Sequence, residues 1–196
     1  MRPYSTTGIV TMYDSYIDAA RPLQAPITVF PNRQRFETGV ARLLEREECA
    51  VLHVAIQGDP AGDGVVSLRM LNLVGNTLRA CLRGGAVAYL GDAEFAVLLS
   101  DTDARQAANY ARTVSTIVAS FHVMWGGEMH SAHASIGGVM AEGCADGAAL
   151  LADAMAASEF ARGKAGSKVH LVHGHGQAHP GPSRLATIAA ENSLAG

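Results

Sequence analysis

The chain has 196 residues, of which 48% are hydrophobic and 17% are charged, and its formal net charge is -3. This length and apolar content predict one well-buried domain rather than two. The charge lacks the basic excess typical of nucleic-acid-binding proteins, and no apolar run is long enough to predict a membrane span. Three widely spaced cysteines and the lack of a basic, apolar leader indicate a reducing, cytoplasmic location.

The N-terminal third is expected to contain one helix and one strand. Residues 1–24 predict either a short amphipathic helix or a linker. A helix is expected after Pro31-Asn32, because Phe36, Val40 and Leu43 recur at helical spacing, and it should end near Cys49. The next apolar run, from Cys49 to Ile56, predicts a central strand that ends in a glycine-rich break.

A second helix and a β-hairpin are expected next. An apolar stripe of four residues predicts the inner face of this helix. It consists of Leu68, Leu71, Val74 and Leu78. Two short apolar runs, 86–90 and 95–99, flank the polar tip Gly91-Asp92, which has the composition of a tight hairpin turn.

The C-terminal half predicts helix, hairpin, helix and strand. The expected segments are the helix Thr102–Phe121, a hairpin of 123–125 with 129–139, the helix Gly147–Arg162 and the strand Lys168–Val172. The whole order predicts an α/β fold of the α+β kind, with a mixed sheet, helices on its faces and a hairpin tip at one edge.

The residues after the last strand, 173–196, are rich in Gly, Pro and His and predict a flexible tail. His170, His173, His175 and His179 could share one face of an extended chain and bind Zn²⁺ or Ni²⁺. A disordered polar tail is the favoured interpretation, because glycines separate these histidines and no cysteine or acid completes a closed site.

Four segments together resemble one known family. Ala25–Arg33 is similar to the motif Asp-x-Leu-Thr-Gly-Leu-x-Asn-Arg apart from its first position, and Leu90–Leu99 contains Gly-Asp-Ala-Glu-Phe before a strand. Ser135-Ile136-Gly137 and Gly166–Val169 follow in the expected order. Over residues 25–172 the chain resembles the GGDEF domain, the diguanylate cyclase family that condenses two GTP molecules into cyclic di-GMP. The resemblance implies a ferredoxin-like sheet flanked by helices.

The family's metal ligands are altered in this chain. Attack of a 3′-hydroxyl on an α-phosphate needs Mg²⁺, which prefers carboxylate ligands and water. The resemblance assigns Ala55 and Ala93 to the two carboxylate positions, and alanine cannot bind a metal. Gly91, Glu94 and Phe95 remain of the signature, and Asp92 replaces its second glycine, so no catalytic residue is expected.

A remnant nucleotide site is implied by the same resemblance. Gly91, Asp92 and Glu94 would line it, Glu94 would be the remaining metal ligand, and Lys164 and Lys168 would meet the phosphates. Ordinary surface lysines near a helix C-terminus are the alternative for the last two. Mg²⁺ or Mn²⁺ would be required only if GTP is bound.

The family's inhibitory motif, Arg-x-x-Asp, is also incomplete. Arg83 supplies an arginine but is followed by Ala86 instead of the acid, and a gapless alignment assigns Leu82 and Gly85 to the two positions. Arg83 is therefore a remnant of the inhibitory site that could still pair with a phosphate. Solvated arginines at a helix end are the favoured interpretation.

The leading hypothesis is a degenerate GGDEF domain without cyclase activity that regulates bacterial cyclic di-GMP signalling by binding. Expected partners are a cyclase, a phosphodiesterase or an effector, a second copy of the chain, or GTP. One alternative is a weak diguanylate cyclase that uses Asp92 and Glu94. The other is a structural domain with a closed pocket.

Overall fold

The computed structural model describes residues 30–44, 48–58, 66–125, 127–142, 146–162 and 169–175. The helices of these ranges are α1 (Arg33–Leu44), α2 (Leu68–Cys81), α3 (Ala104–Ala119) and α4 (Gly147–Arg162). The strands are β1 (Cys49–Gly58), β2 (Gly85–Gly91), β3 (Glu94–Ser100), β4 (His122–Trp125), β5 (Glu128–Glu142) and β6 (Val169–His175). The predicted order of elements is confirmed.

The strands form one mixed sheet. Its order is β2-β3-β1-β5-β4, and β6 also pairs with β5. β1 runs antiparallel to both β3 and β5, whereas β6 runs parallel to β5. The predicted mixed sheet flanked by helices, with the hairpin β2–β3 at one edge, is therefore confirmed.

The two faces of the sheet bury separate apolar clusters. Because side chains alternate along a strand, Leu52 and Val54 of β1 join the cluster under α2 and α3, whereas Cys49 and Val51 join the cluster under α1 and α4. We call the side covered by α2 and α3 the packing face. The side covered by α1 and α4 is the site face.

Capping fixes where two of the helices begin. Asp103 and Gln106 form a reciprocal capping box at the start of α3, in which each side chain accepts a hydrogen bond from the other residue's backbone N–H. The Ser67 hydroxyl accepts from the Met70 backbone N–H at the start of α2. Asp103 is thus the N-cap residue of α3.

Some predicted boundaries and one predicted core residue differ from the structure. Leu68 is 64% exposed, because helical spacing identifies the apolar stripe of α2 but not how far along the helix the core extends. α1 ends at Leu44, before Cys49. β6 continues to His175, so the predicted tail begins inside the sheet, whereas residues 1–24 and 176–196 lie outside the described residues. Within the described part, no helix is long and apolar enough to cross a membrane.

Candidate functional site

The tip of the β2–β3 hairpin is a two-residue turn. Gly91 pairs with Glu94, and between them Asp92 and Ala93 adopt φ angles of 48° and 63°. Positive φ at both central positions is the geometry of a type I′ turn, which matches the twist of the flanking strands. The Ile56 backbone N–H donates to the Ala93 carbonyl at 3.0 Å, so the turn is attached to the end of β1.

Phe95 anchors the tip from below. Its side chain is fully buried on the packing face and meets Phe30 edge-on at a centroid distance of 6.1 Å. The Tyr89 ring lies 5.2 Å away, and the Tyr89 backbone N–H donates to the Pro31 carbonyl at 3.2 Å. The segment Phe30-Pro31 that leads into α1 therefore packs directly against the hairpin.

Three residues form a row across the site face at the height of the tip. Ala55 of β1 lies opposite Glu94 of β3 on one side and opposite Ser135 of β5 on the other. Ala55 is 2% exposed, and the Glu94 side chain is 27% exposed. Ala55 contributes only a methyl group at the centre of this row, so Glu94 supplies the row's carboxylate.

His53, two residues before Ala55 on β1, was not identified from the sequence as a site residue. It is 1% exposed and follows the same face of β1 as Ala55. Its Nδ1 is 2.6 Å from the Ser158 hydroxyl of α4, and its Nε2 is 3.4 Å from Glu94 Oε2. The available signal was a histidine within an otherwise apolar central strand, two residues before Ala55.

Burial determines the charge of this histidine. Desolvation lowers the pKa of His53 below its ordinary value, although the neighbouring Glu94 carboxylate acts in the opposite direction. Arg162 adds to the lowering and Glu159 opposes it. The imidazole is therefore neutral at neutral pH.

The signature-bearing hairpin, its position beside β1 and the helix-flanked sheet agree with a sequence comparison. The family model described as "Diguanylate cyclase, GGDEF domain" matches residues 24–167. The chain belongs to the GGDEF family. No curated protein matches its sequence.

Solved GGDEF structures share the fold of this GGDEF domain. The GGDEF domain of PA1120 (YfiN or TpbB) from Pseudomonas aeruginosa has a TM-score of 0.63 and 28% identity, over 74% of this chain and 97% of that one. Diguanylate cyclase SiaD from the same species, solved with its activator SiaC, has a TM-score of 0.63 and 21% identity over 76% of this chain. This chain covers 60% of SiaD. DgcB from Caulobacter crescentus, solved with c-di-GMP, has a TM-score of 0.60 and 17% identity over 74% of this chain and 92% of its GGDEF domain.

The family's Mg²⁺ site does not fit the residues of this GGDEF domain. Mg²⁺ requires a near-octahedral set of oxygen ligands, usually with one or two carboxylates. Here Ala55 and Ala93 contribute none, and Asp92 is exposed at the turn while Glu94 is the acid opposite Ala55. Among the described residues, no group of three or more His, Cys, Asp or Glu side chains could hold a metal ion.

The remaining predicted site residues lie elsewhere. Lys164 and Lys168 fall outside the described residues. Arg83 is exposed at the base of the hairpin, where it lines a groove of about 380 Å³ with Asp101 and Tyr110. The structure therefore does not bring Arg83 to the tip.

Gly85 explains why the inhibitory motif lacks its acid in the gapless alignment. Its φ angle is +112°, and a Cβ atom there would clash with the Leu98 carbonyl oxygen. Positive φ at this value strongly favours glycine. An aspartate at this position is incompatible with the observed backbone, so the motif cannot be restored in the gapless register.

Proposed function

We propose that this GGDEF domain has no useful cyclase activity and regulates cyclic di-GMP signalling as a binding module. The observation that carries the proposal is the pair of alanines, Ala55 and Ala93, at the two positions where the family resemblance expects metal-binding carboxylates. The surrounding scaffold is retained, because Phe95 still anchors the hairpin and β1 still delivers Ala55 opposite Glu94.

The size of the expected loss in catalytic rate supports this proposal. Removing one well-placed electrostatic group typically slows an enzyme on the order of 10²- to 10³-fold. Two such groups are replaced here, and Asp92 is a poor substitute because neighbouring residues of a turn point in different directions. The combined effect leaves too little transition-state stabilisation for turnover at a useful rate.

A protein is the preferred ligand. SiaD, which shares this fold, was solved with a protein activator, so the fold is compatible with protein partners. In this chain the exposed Asp92 and the partly exposed Glu94 make the tip acidic, which would favour a basic partner surface. The partner classes are a cyclase, a phosphodiesterase, a cyclic di-GMP effector or a second copy of this chain.

The first test is turnover. The purified chain is incubated with GTP and either Mg²⁺ or Mn²⁺, and cyclic di-GMP is measured by chromatography and mass spectrometry. No product is expected. Product that disappears in Glu94→Gln and in Asp92→Asn would instead establish a weak diguanylate cyclase.

The second test separates nucleotide from protein ligands. GTP with Mg²⁺ is titrated into the chain in a calorimeter, and saturable heat without continuing turnover would make GTP a regulatory ligand. Partners are then captured from a lysate of the host bacterium with the wild type and with the double variant Asp92→Asn/Glu94→Gln. Loss of cyclic di-GMP signalling proteins from the double variant is expected, and their full retention would contradict docking through the tip.

A further inference from the structure

A buried histidine faces a partly exposed carboxylate beneath the hairpin tip. His53 Nε2 is buried and has no hydrogen-bond partner within the described residues, yet it lies 3.4 Å from Glu94 Oε2. A buried polar atom without a partner normally costs about 1–3 kcal/mol, so the arrangement needs an explanation.

The hydrogen bonds on the other side of the ring identify its tautomer. The Ser158 hydroxyl donates to the Met155 carbonyl at 2.8 Å, and it also lies 2.6 Å from His53 Nδ1. A serine hydroxyl has one proton, so both bonds form together only if Nδ1–H donates to Ser158. In the neutral ring Nε2 then carries a lone pair, and this lone pair faces a carboxylate.

This geometry places two hydrogen-bond acceptors, each with a lone pair to donate, against one another, and a cation between them would satisfy both. Bonds of about 2.0 Å from Zn²⁺ to imidazole nitrogen and carboxylate oxygen imply a ligand-to-ligand distance of about 3.3 Å in a tetrahedral site. The observed separation of 3.4 Å matches that edge. The Nδ1–H bond to Ser158 is the kind of outer contact that fixes the orientation of a metal-binding histidine.

A second unpartnered group lies on the same face. The Ser135 hydroxyl is buried without a hydrogen-bond partner in the described part of the chain, and Ser135 pairs directly with Ala55. The row Glu94-Ala55-Ser135 has only the methyl group of Ala55 at its centre. A metal-bound water in that row would supply the missing partner of the Ser135 hydroxyl.

We propose that His53 Nε2 and the Glu94 carboxylate bind a divalent cation of the zinc class, with water in the remaining positions. An imidazole ligand favours Zn²⁺, Co²⁺ or Ni²⁺ over Mg²⁺, which prefers oxygen. The site shares Glu94 with the remnant metal site that the resemblance implies, but its second ligand is His53 of β1. It is independent of the proposed loss of cyclase activity.

The test compares Co²⁺ and Zn²⁺ binding by the full chain and two matched variants. Co²⁺ binding is followed by visible absorption, and Zn²⁺ affinity is obtained by displacing the Co²⁺. Glu94→Gln removes the proposed ligand, whereas Asp92→Asn removes the same charge from the neighbouring exposed residue. Histidines elsewhere in the chain contribute equally to both variants.

Zn²⁺ affinity is expected to fall at least about tenfold in Glu94→Gln and to stay unchanged in Asp92→Asn. Millimolar Mg²⁺ should not displace Co²⁺. Equal Zn²⁺ affinity in Glu94→Gln and the wild type would overturn the proposal, as would displacement by Mg²⁺.

Nitrogen NMR of the histidines provides a second measurement that does not depend on refolding a core variant. In metal-free protein at pH 7, His53 is expected to be the neutral Nδ1–H tautomer, and added Zn²⁺ should shift its Nε2 resonance. A doubly protonated ring, or an Nε2 signal unaffected by saturating Zn²⁺, would overturn the assignment.

Discussion

The two faces of the sheet use the same strands differently. On the packing face, buried residues from α2, α3 and the strands form one apolar cluster, and Tyr110 satisfies its hydroxyl by donating to the Leu78 carbonyl at 2.9 Å. Burial raises the pKa of Tyr110, so this hydroxyl stays neutral. On the site face, His53, Ser158 and Ser135 are buried among apolar residues, and two of their polar atoms lack partners within the described chain. A third such atom, Asn72 Oδ1, lies on α2, which covers the packing face.

This difference distinguishes the residues that stabilise the fold from the residues that form the candidate site. Apolar packing stabilises both faces, but buried histidine and serine side chains are unfavourable unless their hydrogen bonds are satisfied. The site face therefore retains polar groups where the family resemblance expects chemistry, while the packing face supports the hairpin from behind through Phe95. Four experiments test this difference between the two faces, in order of decreasing expected effect.

Phe95→Ala should cause the largest loss, because it empties the packing face directly beneath the tip. The side chain is fully buried against Phe30 and Tyr89, and such truncations typically lower the free energy of unfolding by about 3–5 kcal/mol. Urea unfolding measures the change. Phe95→Leu is the control that keeps most of the apolar volume, and an equal loss in both variants would contradict a cavity as the cause.

Gly137→Ala should disturb the site face, where α4 approaches β5 most closely. A Cβ atom at Gly137 would clash with backbone atoms of Ala154, Ala157 and Ser158, which cannot move as a flexible side chain does. We expect a loss of about 3 kcal/mol in the free energy of unfolding.

The matched control for this substitution is Gly39→Ala, at an exposed position of α1 where nothing lies within 4 Å of the added methyl group. That change should stabilise the protein by about 0.5–1 kcal/mol. A stability loss at Gly39 similar to that at Gly137 would show that close approach of α4 is not the reason.

Ser158→Ala should destabilise the site face by removing the acceptor for His53 Nδ1–H. Leaving this buried group unpaired is expected to lower the free energy of unfolding by about 1–3 kcal/mol. In a His53→Leu background the same substitution should have little effect, because the polar partner is gone. A double-mutant cycle by urea unfolding tests the coupling, and additive losses would contradict it.

The smallest effect is a pH dependence that arises from the site face. His53 has a pKa below its ordinary value of 6.5, so the unfolded chain takes up the proton at a higher pH than the folded chain. In metal-free buffer the stability contributed by the neutral ring should be present above pH 6.5 and lost as the pH falls through the folded-state pKa.

Urea unfolding across this pH range provides the measurement, with Glu94, Arg162 and Glu159 as the charged neighbours that influence His53. His53→Leu should remove this part of the pH dependence. An unchanged profile in His53→Leu would assign it to another group.

Much of the fold followed from local patterns. The stripe of α2 and the apolar runs of β1 and β3 predicted elements that the structure confirms. The exposure of Leu68 and the extension of β6 to His175 were missed, because element ends depend on neighbours that lie far away in the sequence. Of the candidate site, the sequence predicted Glu94 and the two alanines that the resemblance aligns with carboxylates, but not His53 or Ser158.

Local motifs were sufficient to identify the family, and they align Ala55 and Ala93 with the positions where the resemblance expects carboxylates. Only the tertiary structure brought His53 to Ser158, 105 residues away, and to Glu94. Strand register decides which side chains face each other, and helix packing decides which group covers them. A histidine in an apolar strand therefore becomes part of a site only when β3 and α4 pack against it.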